Sequence, residues 1–260
     1  MDAGHGSDRL TDLELLEIQA EMAMDGRGRL AGVCGVTIGA TGDGQILFVG
    51  GDVPDPLAAA LVEAAGASPR AGVPDREPPA LVACRAILEP VCAPLALEAG
   101  PSYVFASPAR AEMRIEIARS DTSRGERLRH LNPGNWEPDE WDELLSGALG
   151  PWAMAVLDGR IVSICHTPRR MTERAAECGV WTHPDYRGRG YAAAVTATWA
   201  EVLRPSGRHL FYSTDAGNLS SQRVAARLGL RPIGWTWRLA GADREPRSRR
   251  HPLSRGGEAR

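Results

Sequence analysis

Residues 175–203 constrain the fold of this chain more than any other stretch. A run with strand character, 175–182, is closed by Pro184; Gly188 and Gly190 follow, and an apolar helix over 190–203 starts at the second glycine. A strand that feeds a helix through a glycine-bearing turn belongs to mixed α and β architectures. It also has a chemical consequence. The first turn of a helix leaves its amide N–H groups without internal partners, and the helix dipole favours negative charge there. Gly188 and Gly190 let backbone approach an anion without a Cβ in the way. Arg187 and Arg189 add planar cationic donors suited to phosphate oxygens. The segment reads as an anion site able to grip a diphosphate; a plain helix cap is the bland alternative.

Composition narrows the chemistry. All 30 basic residues are arginine, so a Schiff-base lysine, and with it ordinary pyridoxal chemistry, is excluded, as is a Walker-type phosphate lysine. A length of 260 residues with 43% hydrophobic and 24% charged content suits a folded chain with a real core. The longest apolar run, 191–203, falls short of the roughly 18 residues of a membrane span, and the polar start lacks a signal-peptide core. Five cysteines without paired spacing fit a reducing cytoplasm better than a disulfide scaffold. The expected location is therefore cytoplasmic, with no membrane partner.

Charge divides the chain. Residues 1–110 carry 15 acidic and 7 basic side chains, 111–240 carry 15 and 17, and 241–260 carry 3 and 6. The last block mixes Arg, Pro, Gly and Ser and reads as a disordered tail. A nucleic-acid arm would need interleaved aromatics, which it lacks, so no nucleic-acid partner is expected. Residues 1–110 read as a smaller N-terminal α/β accessory domain: a helix over 12–24, strands near 30–38 and 46–49, helices over 55–65 and 80–89, and a strand near 103–107. Over 111–240 the order is βααβββαβαβ, with Asp158-Gly159 as a hairpin turn between strands 152–157 and 161–166.

The stretch Arg187-Gly188-Arg189-Gly190-Tyr191-Ala192 resembles the cofactor motif (Gln/Arg)-x-x-Gly-x-(Gly/Ala) of the GNAT superfamily of acyl-CoA-dependent N-acyltransferases, met by Arg187, Gly190 and Ala192. A second stretch, Asn218-Leu219-Ser220-Ser221 with Ala225, Arg227, Leu228 and Gly229, resembles that family's Asn-x-x-Ser/Ala helix ending in Leu-Gly-Phe, with Leu230 in place of Phe. The resemblance covers about 113–240 and implies an α/β (α+β) fold: a mixed twisted sheet flanked by helices. It implies that acetyl-CoA is the co-substrate, its diphosphate held by Arg187, Gly188, Arg189, Gly190, Tyr191 and Ala192. The backbone of Val180, Trp181 and Thr182 would meet the pantetheine arm and acyl carbonyl, and Asn218 and Ser221 the arm. The arm would enter between strands 175–182 and 209–214, which splay apart in that fold. A dinucleotide fingerprint fits less well, since residue 193 is alanine where a third glycine belongs.

Acyl transfer to an amine needs a neutral amine, a base for its proton and a stabilised oxyanion. Glu177 shares side-chain parity with Gly179 and Trp181 and is the candidate base, against a reading as a solvated edge residue. The family's catalytic tyrosine position, seven beyond the asparagine, is Ala225 here. Protonation of the leaving thiolate then falls to Tyr212, Ser213, Ser221 or solvent, and a thiol pKa near ~8.5 makes the demand small. Cys178 and His183 lack a second pair for a metal site, so no metal is expected. Cys165 and His166, adjacent on a strand, face opposite sides and do not form a dyad. Trp136, Trp141 and Trp152 read as core or rim residues, or as walls of an acceptor pocket. The acidic run Glu137, Asp139, Glu140, Asp142 and Glu143 reads as a solvated helix face, or as attraction for a cationic amine. The expected function is N-acetyl transfer to a small-molecule or peptide amine. The rival reading is a non-catalytic acyl-CoA-binding regulatory module, which the missing tyrosine favours.

Overall fold

A computed structural model describes residues 10–69, 72–108, 113, 115–122 and 125–242. The chain opens with α1 (Asp12–Ala20), whose start is fixed by Thr11: its hydroxyl accepts from the Glu14 amide while the Glu14 carboxylate accepts from the Thr11 amide. The helix buries Leu15, Leu16 and Ile18. Strands β1 (Gly35–Ala40) and β2 (Gln45–Val49) form a hairpin. Helices α2 (Asp55–Ala67) and α3 (Pro79–Cys92) each carry a proline in the first turn, Pro56 and Pro79, where its missing N–H costs nothing. Strand β3 (Leu95–Val104) follows.

Next come β4 (Glu116–Arg119), a short 3-10 segment (Gly125–Leu131) and α4 (Pro138–Ser146). Strands β5 (Trp152–Leu157) and β6 (Arg160–His166) turn at Asp158-Gly159, both with positive φ (48° and 72°), as the dipeptide requires. The run expected as one strand over 175–182 is two, β7 (Ala175–Glu177) and β8 (Gly179–Thr182), broken at Cys178. Then follow α5 (Tyr191–Leu203), β9 (His209–Ser213), α6 (Leu219–Arg227) and β10 (Arg231–Gly241).

The strands make a mixed sheet in two parts, ordered β2-β1-β10-β3-β9-β7 and β4-β5-β6-β8. Among the described residues β7 and β9 are the parallel pair; the other pairs run antiparallel. Helices α5 and α6 cover one face over a core that includes Ala176, Cys178, Val195, Trp199, Leu210 and Tyr212. On the opposite face α1 packs on Ala175, Phe211, Val104 and Ile233, and α4 packs on Met154 and Ile164. Helices α2 and α3 enclose a further core on β1 and β10.

Two features depart from the sequence reading. Strand β3, from the stretch assigned to an accessory domain ending near residue 110, lies between β10 and β9, so one sheet crosses that boundary. Cys34 and Cys92, 58 residues apart, form a disulfide between the start of β1 and the end of α3; the fold supplies a pairing that sequence spacing did not suggest. The expected tail falls, from residue 243 onward, outside the described residues. Among the described residues no helix is long and apolar enough to cross a membrane.

Candidate functional site

The break at Cys178 creates the site. β7 pairs with β9 from Ala175 opposite His209 as far as Glu177 opposite Phe211, and the Cys178 amide gives the last bond, to the Phe211 carbonyl at 3.1 Å. From Gly179 onward the chain joins β6 instead, so β8 and β9 part and a slot opens. The alternation of strand hydrogen bonds says which groups line it. His183 donates to Val162 of β6; Trp181, in step with it, also faces β6, where Ser163 donates to its carbonyl at 2.9 Å. Val180 and Thr182 therefore turn their N–H and C=O toward the slot. On β9, Leu210 accepts from Phe105 and Thr214 donates to Pro101, both toward β3, which leaves the Ser213 backbone facing the slot. Of the three residues expected to serve through their backbone, Val180 and Thr182 face the slot and Trp181 faces β6.

At the mouth of the slot lies the loop expected to bind an anion. Gly188 and Gly190 have φ of 76° and 89°, the left-handed region that favours glycine, and Gly190 caps α5. The Arg187 amide closes back on Pro184 and the Ala194 amide on Gly190. Between them the amides of 188–193 have no hydrogen-bond partner among the described residues. The Arg187 side chain donates from Nε to the Thr182 carbonyl at 3.3 Å, Arg189 lies over the Tyr186 ring, and Tyr191 packs beside that ring. One cation escaped the sequence reading as a site group. The guanidinium of Arg227, at the end of α6, lies 3.0–3.2 Å from where a Cβ on Gly190 would stand. Its place directly before Leu228-Gly229 in the second motif was the available signal.

Helix α6 brings in Asn218 and Ser221. Asn218 caps the helix, its Oδ1 accepting from the Ser221 amide at 3.1 Å. The Ser221 hydroxyl lies 2.6 Å from the Tyr212 hydroxyl. Tyr212 is buried, and burial pushes its phenol well above the ordinary tyrosine value. Ala225 is fully buried beneath.

Glu177 is on the other face and 6% exposed. Its Oε1 accepts from Ser213 Oγ at 2.5 Å and from Gln19 Nε2 at 2.9 Å; its Oε2 lies 3.7 Å from Arg169 Nε. The expected catalytic residues thus divide: Glu177 and Ser213 meet, while Tyr212 points away from them to Ser221. Gln19 comes from α1, and no motif announced it.

The remaining candidates have structural partners. Trp141 and Trp152 are core residues whose indole N–H groups donate to the Arg129 and Leu145 carbonyls; Trp136 stands edge-on to Trp181, 5.8 Å between centroids. Glu137 and Glu140 cap α4, and Asp142 pairs with Arg129. The His183 Nδ1 accepts from the Asp185 amide. Cys178 is buried beside Cys165, and burial pushes its thiol well up. Among the described residues no group of three or more His, Cys, Asp or Glu side chains is placed to hold a metal.

An open strand edge leading to unpartnered amides and two left-handed glycines fits an extended ligand that ends in a diphosphate. The sequence matches the GNAT acetyltransferase domain over residues 98–231, a little over half of the chain, and the protein belongs to that family. The match begins inside β3, ahead of the boundary expected near 110. A comparison with curated proteins finds no match. Among solved structures, a GNAT-family acetyltransferase from Novosphingobium aromaticivorans is 24% identical, the match covering 56% of this chain and 65% of that one, with a TM-score of 0.42. A GNAT-family acetyltransferase from Colwellia psychrerythraea is 16% identical over 60% of each chain, TM-score 0.45. Aminoglycoside N-acetyltransferase AAC(6')-Iy, in complex with CoA, is 20% identical over 46% of this chain and 89% of that one, TM-score 0.35. The match spans less than two thirds of the first two relatives' own length.

Proposed function

We propose that the protein is an acyl-CoA-dependent N-acyltransferase that moves an acetyl group from acetyl-CoA to the amine of a small molecule or peptide, by direct attack in a ternary complex. The observation that carries this reading is the run of unpartnered amides over 188–193 at the mouth of a slot between parted strands. Those amides, with Arg227 beside Gly190, would hold the diphosphate, and the free edges of β8 and β9 the pantetheine arm. The bound thioester supplies an activated acyl carbon and a thiolate that leaves readily. The N–H groups of Val180 and Thr182 face the slot and are the candidate oxyanion donors. Glu177 takes the proton from the acceptor amine. With Ala225 in the family's tyrosine position, water or the Ser221 hydroxyl protonates the thiolate. Strands β1, β2 and β3 share the sheet with β9, and α1 would border the acceptor face.

Ala225 favours a second reading, a non-catalytic acyl-CoA-binding module. One assay separates them: free-thiol release from acetyl-CoA across a panel of amines, beside Gly190→Glu. The substitution places a carboxylate among the amides, at a φ that side chains rarely adopt. Amine-dependent thiol release that the substitution abolishes supports transfer. CoA binding without release supports the binding module, and undiminished turnover in the variant removes both.

A further inference from the structure

The N-terminal helix covers the sheet face opposite α5 and α6, and its cover reaches the candidate base. We infer that Gln19 is a positioning residue for Glu177: with Ser213 it holds Oε1, and so leaves Oε2 as the oxygen that takes the acceptor's proton. The inference rests on the acyl-transfer reading above and deepens it at the same site.

A carboxylate oxygen offers two lone-pair directions. On Glu177 Oε1 both are filled, by Gln19 Nε2 at 2.9 Å and Ser213 Oγ at 2.5 Å. Arg169 Nε, 3.7 Å from Oε2, is beyond hydrogen-bond distance, and its side chain is 58% exposed. The oxygen left over is therefore the one on the side of Arg169.

The polar atoms here are poorly explained as packing. Gln19 Oε1 is buried without a hydrogen-bond partner, and so is the hydroxyl of Ser102, the cross-strand neighbour of Ser213. A buried polar atom left unpaired costs about 1–3 kcal/mol, whereas leucine at position 19 would cover the sheet without that cost. The amide accepts this penalty and makes its one bond to the Glu177 carboxylate. During transfer, as the nitrogen–carbon bond forms, the N–H proton passes to Oε2 and the carbon–sulfur electron pair leaves with the thiolate. The groups facing Glu177 are Gln19 from α1, Ser213 from β9 and Arg169 from the segment before β7.

The test is steady-state thiol release from acetyl-CoA, with the best amine of a panel of primary amines and dipeptides, for the unsubstituted protein, Gln19→Met and Gln19→Glu. Both replacements are good helix formers. Gln19→Met is expected to lower kcat about tenfold with KM for acetyl-CoA unchanged. Gln19→Glu sets two carboxylates within reach of one proton, so the acidic limb of kcat/KM should move up by about one pH unit or more. Full kcat in Gln19→Met, or an unmoved limb in Gln19→Glu, overturns the role of Gln19 and leaves the acyl-transfer reading standing. If Gln19→Met loses CoA binding together with its fold, the pH limb of Gln19→Glu decides alone. Absence of turnover in the unsubstituted protein removes the acyl-transfer reading and this inference with it.

Discussion

Adjacent residues of a strand face opposite sides of its sheet, and at Tyr212 and Ser213 that alternation divides the chemistry of the site. Ser213 turns to Glu177; Tyr212 turns into the core to meet Ser221. The direction of the Tyr212 shift has a consequence for stability. A buried phenol that stays neutral above its ordinary titration range leaves the folded state holding a proton that the unfolded chain releases. Its contribution is fully present below pH ~10 and is lost as pH rises beyond it. The Cys84 thiol, pushed up to about 11 by burial, acts with the same sign from a slightly lower pH. The melting temperature should therefore fall between pH 9 and 11, and less steeply in Tyr212→Phe; equal slopes in the two proteins would contradict the burial argument. Parity along 175–182 groups Glu177 with Gly179 and Trp181. Parity says nothing of Gln19, whose contact spans 158 positions in sequence and leaves no local trace.

Among the elements, the division of one expected strand into β7 and β8 matters most. The run Ala175-Ala176-Glu177-Cys178-Gly179-Val180-Trp181-Thr182 has no proline or charged pair to mark a break, so only the competition between β9 and β6 for its edge reveals it. The loop and helix after it were legible, because glycine, proline and helix-start chemistry are local. Helix α1 is the other decisive element, since it carries Gln19 over Glu177. Its capping box is a local device at Thr11, and Thr11→Ala should cost about 1 kcal/mol. Urea unfolding followed by circular dichroism measures this as a lower midpoint with an unchanged slope; an unchanged midpoint would mean that packing alone sets the start of the helix.

At the scale of the whole molecule, β3 joins what composition had separated. The acidic excess of residues 1–110 suggested a unit apart, yet charge on exposed faces is insensitive to which strand pairs with which. Pairing of β3 with β10 and β9 is set by burial of residues distant in sequence, which no window of the sequence displays. The consequence is that β9, one wall of the slot, shares its sheet with the N-terminal strands β1, β2 and β3, while β8, the other wall, belongs to the second sheet. The central claim is that the amides over 188–193 grip the diphosphate of CoA. Backbone ¹H–¹⁵N spectra of the protein titrated with CoA, and separately with pantetheine, test it most directly. The account predicts large shifts of the Gly188, Gly190, Tyr191 and Ala192 amides with CoA and none with pantetheine, which lacks the diphosphate. Saturable binding of CoA that leaves those amides unmoved would contradict it.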